Sequence, residues 1–102
     1  MNIRHGMRVH FMGIGGIGVS ALADICAAQG MVVSGCDLKL NGTSDRLRRH
    51  GAALFVGHDP RHVDESVDLV VYSAAVRADN PELLAATSRG IPTLTRGELL
   101  AE

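Results

Sequence analysis

The chain has no tryptophan, and its only aromatic residues are Phe11, Phe55 and Tyr72. It has one lysine, Lys39, and two cysteines, Cys26 and Cys36. Each scarcity excludes something. With so few rings, a platform for stacked bases is not expected. Ten basic side chains against eleven acidic ones give a formal net charge of -1. The basic surface that a nucleic-acid backbone demands is therefore missing as well. Two cysteines do not make a disulfide framework; they read as buried or half-buried thiols of a cytoplasmic protein. No apolar run approaches the roughly 18 residues of a membrane span. The polar, glycine-interrupted opening from Met1 to Arg8 does not read as a secretory signal.

What the chain does have is glycine, twelve in 102 residues, and an apolar fraction of 46%. That composition suits a globular domain with a single core. Arg8–Met12 alternates and runs into Gly13, which predicts a short strand. From Ile17 the apolar residues Ala21, Leu22, Ile25 and Ala28 follow at helical spacing, and Gly30 stops them. Met31–Cys36 predicts a second strand. Thr43 or Ser44 is placed to cap a helix reaching Arg49 or His50. Ala53–Val56 and Asp68–Tyr72 predict two more strands. Asn80, Pro81 and Glu82 have the chemistry of an N-cap, a first helical residue and a dipole partner. Thr93–Thr95 is a fifth short strand, and a further helix starts at Arg96.

Gln29-Gly30, His50-Gly51 and Arg89-Gly90 each close a helix just before a strand. Strands and helices alternating through such short turns predict an α/β fold, a Rossmann-like parallel sheet with helices on both faces. Right-handed crossovers favour the strand order 3-2-1-4-5.

Gly13-Ile14-Gly15-Gly16-Ile17-Gly18 contains G-x-G-x-x-G between a strand and a helix, and Asp37 ends the next strand. In such a motif Gly13 permits the tight turn, Gly15 the approach of a diphosphate, and Gly18 close packing of helix on strand. Free N–H groups and the positive helix end then hold phosphate, and the acid accepts from ribose hydroxyls. The combination predicts a nucleotide diphosphate without saying which. A nicotinamide or flavin dinucleotide is the general reading; the fourth glycine, Gly16, and the lack of a hydride-accepting partner domain stand against it.

Other polar groups read more plainly. His58, Asp59 and His62 are expected in a solvated loop, interrupted by Pro60 and without an evident third metal ligand. His58 keeps a nucleotide contact as an option. His10 is expected to be a packed or edge histidine, with the mouth of the phosphate site as the alternative. Asp64, Glu65 and Asp68 read as a surface turn. Arg46, Arg48, Arg49 and His50 complement a helix C-terminus. Ser20 is divided between a phosphate contact and helix-start capping.

The stretch from His10 to Ala23 resembles the opening of the Mur ligases. The resemblance continues through Val33-Ser34-Gly35-Cys36-Asp37, Gly51-Ala52, Gly57-His58, Val70–Val76, Asp79–Leu83 and Gly90-Ile91-Pro92. It covers nearly the whole chain. It implies the first of three domains, holding the UDP part of UDP-N-acetylmuramate. Gly15, Gly16, Ile17 and Gly18 would meet the diphosphate and Asp37 the ribose. His58 and the turn Ser73, Ala74, Ala75 and Val76 would border the uridine. Gly13, Ser20 and Leu38 complete the candidate set. This chain has Ala74 where the family commonly has a second serine, and Cys36 where it commonly has serine.

The reaction implied for the parent enzyme uses ATP and Mg²⁺. The lactyl carboxylate is phosphorylated, and the amine of L-alanine attacks the acyl phosphate. Lys39 has no G-x-x-x-x-G-K-[ST] around it, so this chain is expected to lack the ATP site and any catalytic residue. It is expected to need central ATP-binding and C-terminal domains as partners. The rival readings are a nicotinamide-binding domain of an oxidoreductase or redox-sensing regulator, and a fragment that binds nothing alone.

Overall fold

A computed structural model describes residues 5–14, 17–38 and 42–100, with residues 17 and 42–44 as backbone only. Gly15, Gly16 and Lys39 lie outside the described residues, and so do the side chains of Ile17 and of the expected caps Thr43 and Ser44. The elements are β1 (Arg8–Met12), α1 (Ile17–Ala28), β2 (Val32–Asp37), α2 (Gly42–Arg49) and β3 (Ala53–Val56). A single 3₁₀ turn (Pro60–His62) precedes β4 (Leu69–Tyr72), α3 (Pro81–Ser88), β5 (Thr93–Thr95) and α4 (Arg96–Leu100). All strand pairings are parallel, in the order β3-β2-β1-β4-β5. This is the Rossmann-like sheet that the alternation of elements predicts. Among the described residues no helix is long and apolar enough to cross a membrane.

The three helix-closing glycines do one job. Gly30, Gly51 and Gly90 have φ of +85°, +96° and +70°. In each case the glycine N–H and the next residue's N–H turn back onto carbonyls of the last helical turn, at 2.9–3.2 Å. The left-handed residue lets the chain reverse into a strand while satisfying those carbonyls. The second strand starts one residue later than expected because the Met31 N–H is used in this closure, bonded to Cys26 O.

Strand alternation sorts the core into two layers. Val9, Phe11, Val33, Leu69 and Val71 face α1, α2 and α4 through Val19, Leu22, Ala23, Cys26, Leu47 and Leu99. Met12, Cys36 and Val70 face the other side, against Val63, Val67, Leu83, Ala85 and Ala86. Helices thus cover both faces. Arg46 of α2 pairs with Asp24 of α1 at 2.9 Å, so this arginine is tied to the neighbouring helix.

Gly35 sits where β2 passes under Ile14. A Cβ at Gly35 would lie 2.3 Å from Ile14 Cδ1 and 2.9 Å from the Phe11 carbonyl oxygen. Backbone cannot yield cheaply, so Gly35→Ala is expected to destabilise the chain by about 1–3 kcal/mol, the range for overpacking a core. Urea melts check this; an unchanged midpoint would refute it.

Candidate functional site

In an open parallel sheet, ligands bind beyond the carboxyl ends of the strands where the winding reverses. Here that place lies between β1 and β4, because the chain winds from β1 to β2 on one side and returns to β4 on the other. A cleft of about 770 Å³ opens there. Gly13 bounds it with φ +80° and abuts the turn after β4, its Cβ position 3.8 Å from Ser73 Cβ. Gly18 and Val19 bring the first turn of α1, and Asp37 and Leu38 the end of β2. The Gly57 N–H donates to the Asp37 carbonyl at 2.7 Å, which draws the loop carrying His58 over the same end. Ser73, Ala75 and Val76 complete the β4 side. Their turn is held by the Ala75 N–H donating to Ser73 Oγ and the Val76 N–H to Ser73 O.

Eight residues of the expected set therefore line one cleft: Gly13, Gly18, Asp37, Leu38, His58, Ser73, Ala75 and Val76. Two others do not. Ser20 is buried on the inner side of α1, and Ala74 is exposed away from the lining. Gly15 and Gly16 lie outside the described residues. The atoms nearest to a Cβ at Gly18 would belong to the Arg96 side chain of α4, at 3.1–3.2 Å. Gly18 thus leaves room for a cation at the cleft, and at Gly35 the close neighbours include backbone. The N–H groups of Gly13 and Ile14 are also not free for a ligand: both donate to Cys36 O, at 2.9 and 3.0 Å. The donors left for an anion are those of the opening turn of α1. Arg77 and Arg96 line the cleft too; Arg77 is paired with Asp79 at 3.1 Å.

Beneath the cleft lies a cluster that the sequence did not disclose. Glu82, expected only to complement a helix dipole, is wholly buried. Its Oε1 accepts from His10 Nε2 at 2.6 Å and from the Cys36 thiol at 3.1 Å. Its Oε2 accepts from His62 Nδ1 at 2.8 Å and from the Asp59 N–H at 3.0 Å. His10 is also buried, and its Nδ1 is 2.8 Å from Ser34 Oγ. The expectation of a packed histidine holds for His10. The solvated loop does not hold for His62: its ring stacks on Phe55 with centroids 4.1 Å apart and anchors to Glu82. Pro60, expected to interrupt, instead starts the 3₁₀ turn, capped by Asp59, that delivers His62.

Burial alone would raise the Glu82 carboxyl. The hydrogen bond and charge of His10, with the bonds from His62 and Cys36, overcome it and hold the group at about 2, below its ordinary 4.5. Burial, and then the Glu82 charge, push the Cys36 thiol well above its usual value. Cys36 thus stays an S–H donor to Glu82, and His58 Nδ1 donates to its sulfur at 3.2 Å. One weak signal was available. His10 alternates with core residues on a strand, so it needed a buried hydrogen-bond partner, and Glu82 shares a helix stripe with Ala85 and Ala86.

A sequence profile described as "Mur ligase family, catalytic domain" matches residues 8–102. The chain belongs to the Mur ligase family. Among curated proteins, the UDP-N-acetylmuramate–L-alanine ligase of Persephonella marina is 51% identical over 100 residues. That match takes in 98% of this chain and 21% of the relative. The crystal structure of a UDP-N-acetylmuramate–alanine ligase from Thermotoga maritima superposes with a TM-score of 0.86 at 36% identity, covering 92% of this Mur ligase chain and 22% of that one. Shikimate dehydrogenase from Aquifex aeolicus, at 15% identity and a TM-score of 0.61 over 94% of this chain and 44% of its own, shares the fold alone. The chain spans about a fifth of the length of the curated relatives it matches.

Proposed function

We propose that this Mur ligase chain binds the UDP part of UDP-N-acetylmuramate. It would serve as the first, substrate-holding domain of an ATP-dependent ligase that adds L-alanine in peptidoglycan precursor synthesis. The observation that carries the reading is the convergence, in one cleft, of the Gly13 turn, the start of α1, Asp37, His58 and the Ser73–Val76 turn. The diphosphate would meet Gly15, Gly16, Ile17 and Gly18 of the glycine motif, at the positive end of α1, where a helix start favours an anion. Asp37 would accept from the ribose hydroxyls, and His58 with the Ser73 turn would border the uracil. Two unpaired, buried thiols agree with a cytoplasmic setting.

ATP and Mg²⁺ belong to the proposed whole enzyme. The residues present do not fit an ATP site: the one lysine, Lys39, stands outside any phosphate-loop motif. Phosphorylation of the lactyl carboxylate and attack by L-alanine are assigned to further domains, which are the proposed partners. This chain's part is to bind the nucleotide end and orient the sugar.

Thermal-shift measurements with UDP-N-acetylmuramate, UDP and NAD test the ligand. The two UDP compounds should raise the melting temperature more than NAD does. At a hundredfold excess over Kd the stabilisation should approach about 2.7 kcal/mol. An equal or larger shift with NAD would replace this reading by a nicotinamide-binding one.

A further inference from the structure

Glu82 is a fully buried carboxylate, and among the described residues no arginine or lysine is one of its hydrogen-bond or ion-pair partners. Its side-chain neighbours are His10, His58, His62 and Cys36, every one a side chain that ligates transition metals. A buried charge is costly even when hydrogen-bonded, and a positive partner would relieve that cost. Protons on the histidines are one answer; a divalent ion is another. Among the described residues, His10, Cys36 and Glu82 offer ligand atoms all within 4.8 Å of one another.

We propose that His10 Nε2, Cys36 Sγ and a Glu82 oxygen, with His58 Nδ1 as fourth ligand, form a site for a divalent ion of borderline softness such as Zn²⁺. His58 Nδ1 lies 3.2 Å from Cys36 Sγ and 3.7 Å from Glu82 Oε2, which brings it next to two of the three ligands. A nitrogen, sulfur and oxygen donor set of four is what tetrahedral zinc takes. The outer shell is already in place. Ligating histidines almost always donate their other ring N–H to a neighbour, and Ser34 Oγ stands 2.8 Å from His10 Nδ1. His62 and the Asp59 N–H hold the remaining Glu82 oxygen.

Binding balances charge. The ion displaces the Cys36 thiol proton to solvent, and both histidines change tautomer without a net loss of protons: His10 moves its proton from Nε2 to Nδ1, donated to Ser34, and His58 moves its proton from Nδ1 to Nε2. One divalent cation meets one thiolate and one carboxylate, leaving the buried centre neutral. The burial and neighbouring charge that raise the thiol are outweighed by the ion's own charge. His58 lines the cleft, which gives the ion a way in.

Cobalt(II) is the probe, because its thiolate complexes show a sulfur-to-metal charge-transfer band. Titration of the reduced chain near neutral pH should show that band saturating at one ion per chain, and Zn²⁺ should abolish it by displacement. Cys36→Ser should lose the band. Cys26→Ser should keep it, and with Cys36 then the one remaining thiol, this variant assigns the band even if Cys36→Ser fails to fold. Ser34→Ala should weaken affinity about 10–100-fold, the range for a lost outer-shell bond. No band at saturating cobalt overturns the proposal, as does a band that survives Cys36→Ser or vanishes in Cys26→Ser. Those are the results of a cluster that is a hydrogen-bond network alone.

Discussion

Replacing Glu82 by alanine is expected to destabilise the chain by about 3–5 kcal/mol, the scale of breaking a buried network in which each hydrogen bond to a charged group is worth about 1.5–3 kcal/mol. The loss goes beyond a single contact. His10 would stay buried with Nε2 unpaired, Cys36 would lose its acceptor, and the 3₁₀ turn would lose both the His62 and Asp59 N–H anchors. For a domain whose total stability is of the order of 5–15 kcal/mol, that is a large fraction. Glu82→Gln keeps the shape and part of the bonding and should cost less. It also isolates a pH effect. The folded-state carboxyl, at about 2, lies below its ordinary 4.5, so the unfolded chain binds the proton more readily. The stabilisation is complete above the ordinary value and is lost as pH falls from there through about 2. Denaturant melts between neutral pH and pH ~2.5 should show the difference between parent and Glu82→Gln shrinking towards the acid end. A difference that stays constant with pH would show that the carboxylate charge is not what stabilises the fold.

Gly15→Val is expected to abolish UDP binding and leave the melt close to that of the parent. In the glycine motif the second glycine is the place where a diphosphate comes closest to the backbone, and a branched side chain fills that space. Asp37→Ala should act more mildly, weakening binding by about 1.5–3 kcal/mol through lost hydrogen bonds to a charged group. Its Oδ1 also accepts from the Leu38 N–H at 2.7 Å, so a small local loosening is expected as well. Calorimetric titration with UDP-N-acetylmuramate beside melts of each variant separates binding from folding. Parental affinity in Gly15→Val would remove the glycine loop as the diphosphate site. The comparison with Gly35→Ala is informative, since that change should do the reverse and affect folding first.

The fold was legible because its signals are local. Each of Gly30, Gly51 and Gly90 closes a helix where it stands, and the strands Arg8–Met12 and Ala53–Val56 begin and end as the sequence predicts. Asn80 caps α3 by accepting from the Glu82 N–H, as its position next to Pro81 implies. The cleft was legible for the same reason, since a turn, a helix start and an acid at the next strand's end are brought together by topology alone. What the sequence could not determine was which side chains meet across long stretches of chain. Gly18 and Arg96, or Gly35 and Ile14, are brought together only by packing. Glu82 is the clearest case. It is 72 residues from His10 and 46 from Cys36, and nothing in the local pattern of Asn80-Pro81-Glu82 separates an exposed dipole partner from a buried hub. Helix periodicity defines a face, but the register of α3 on the sheet decides what that face meets. Only there do a histidine, a thiol and a carboxylate acquire one another as partners, because only in the folded core is water absent to satisfy them.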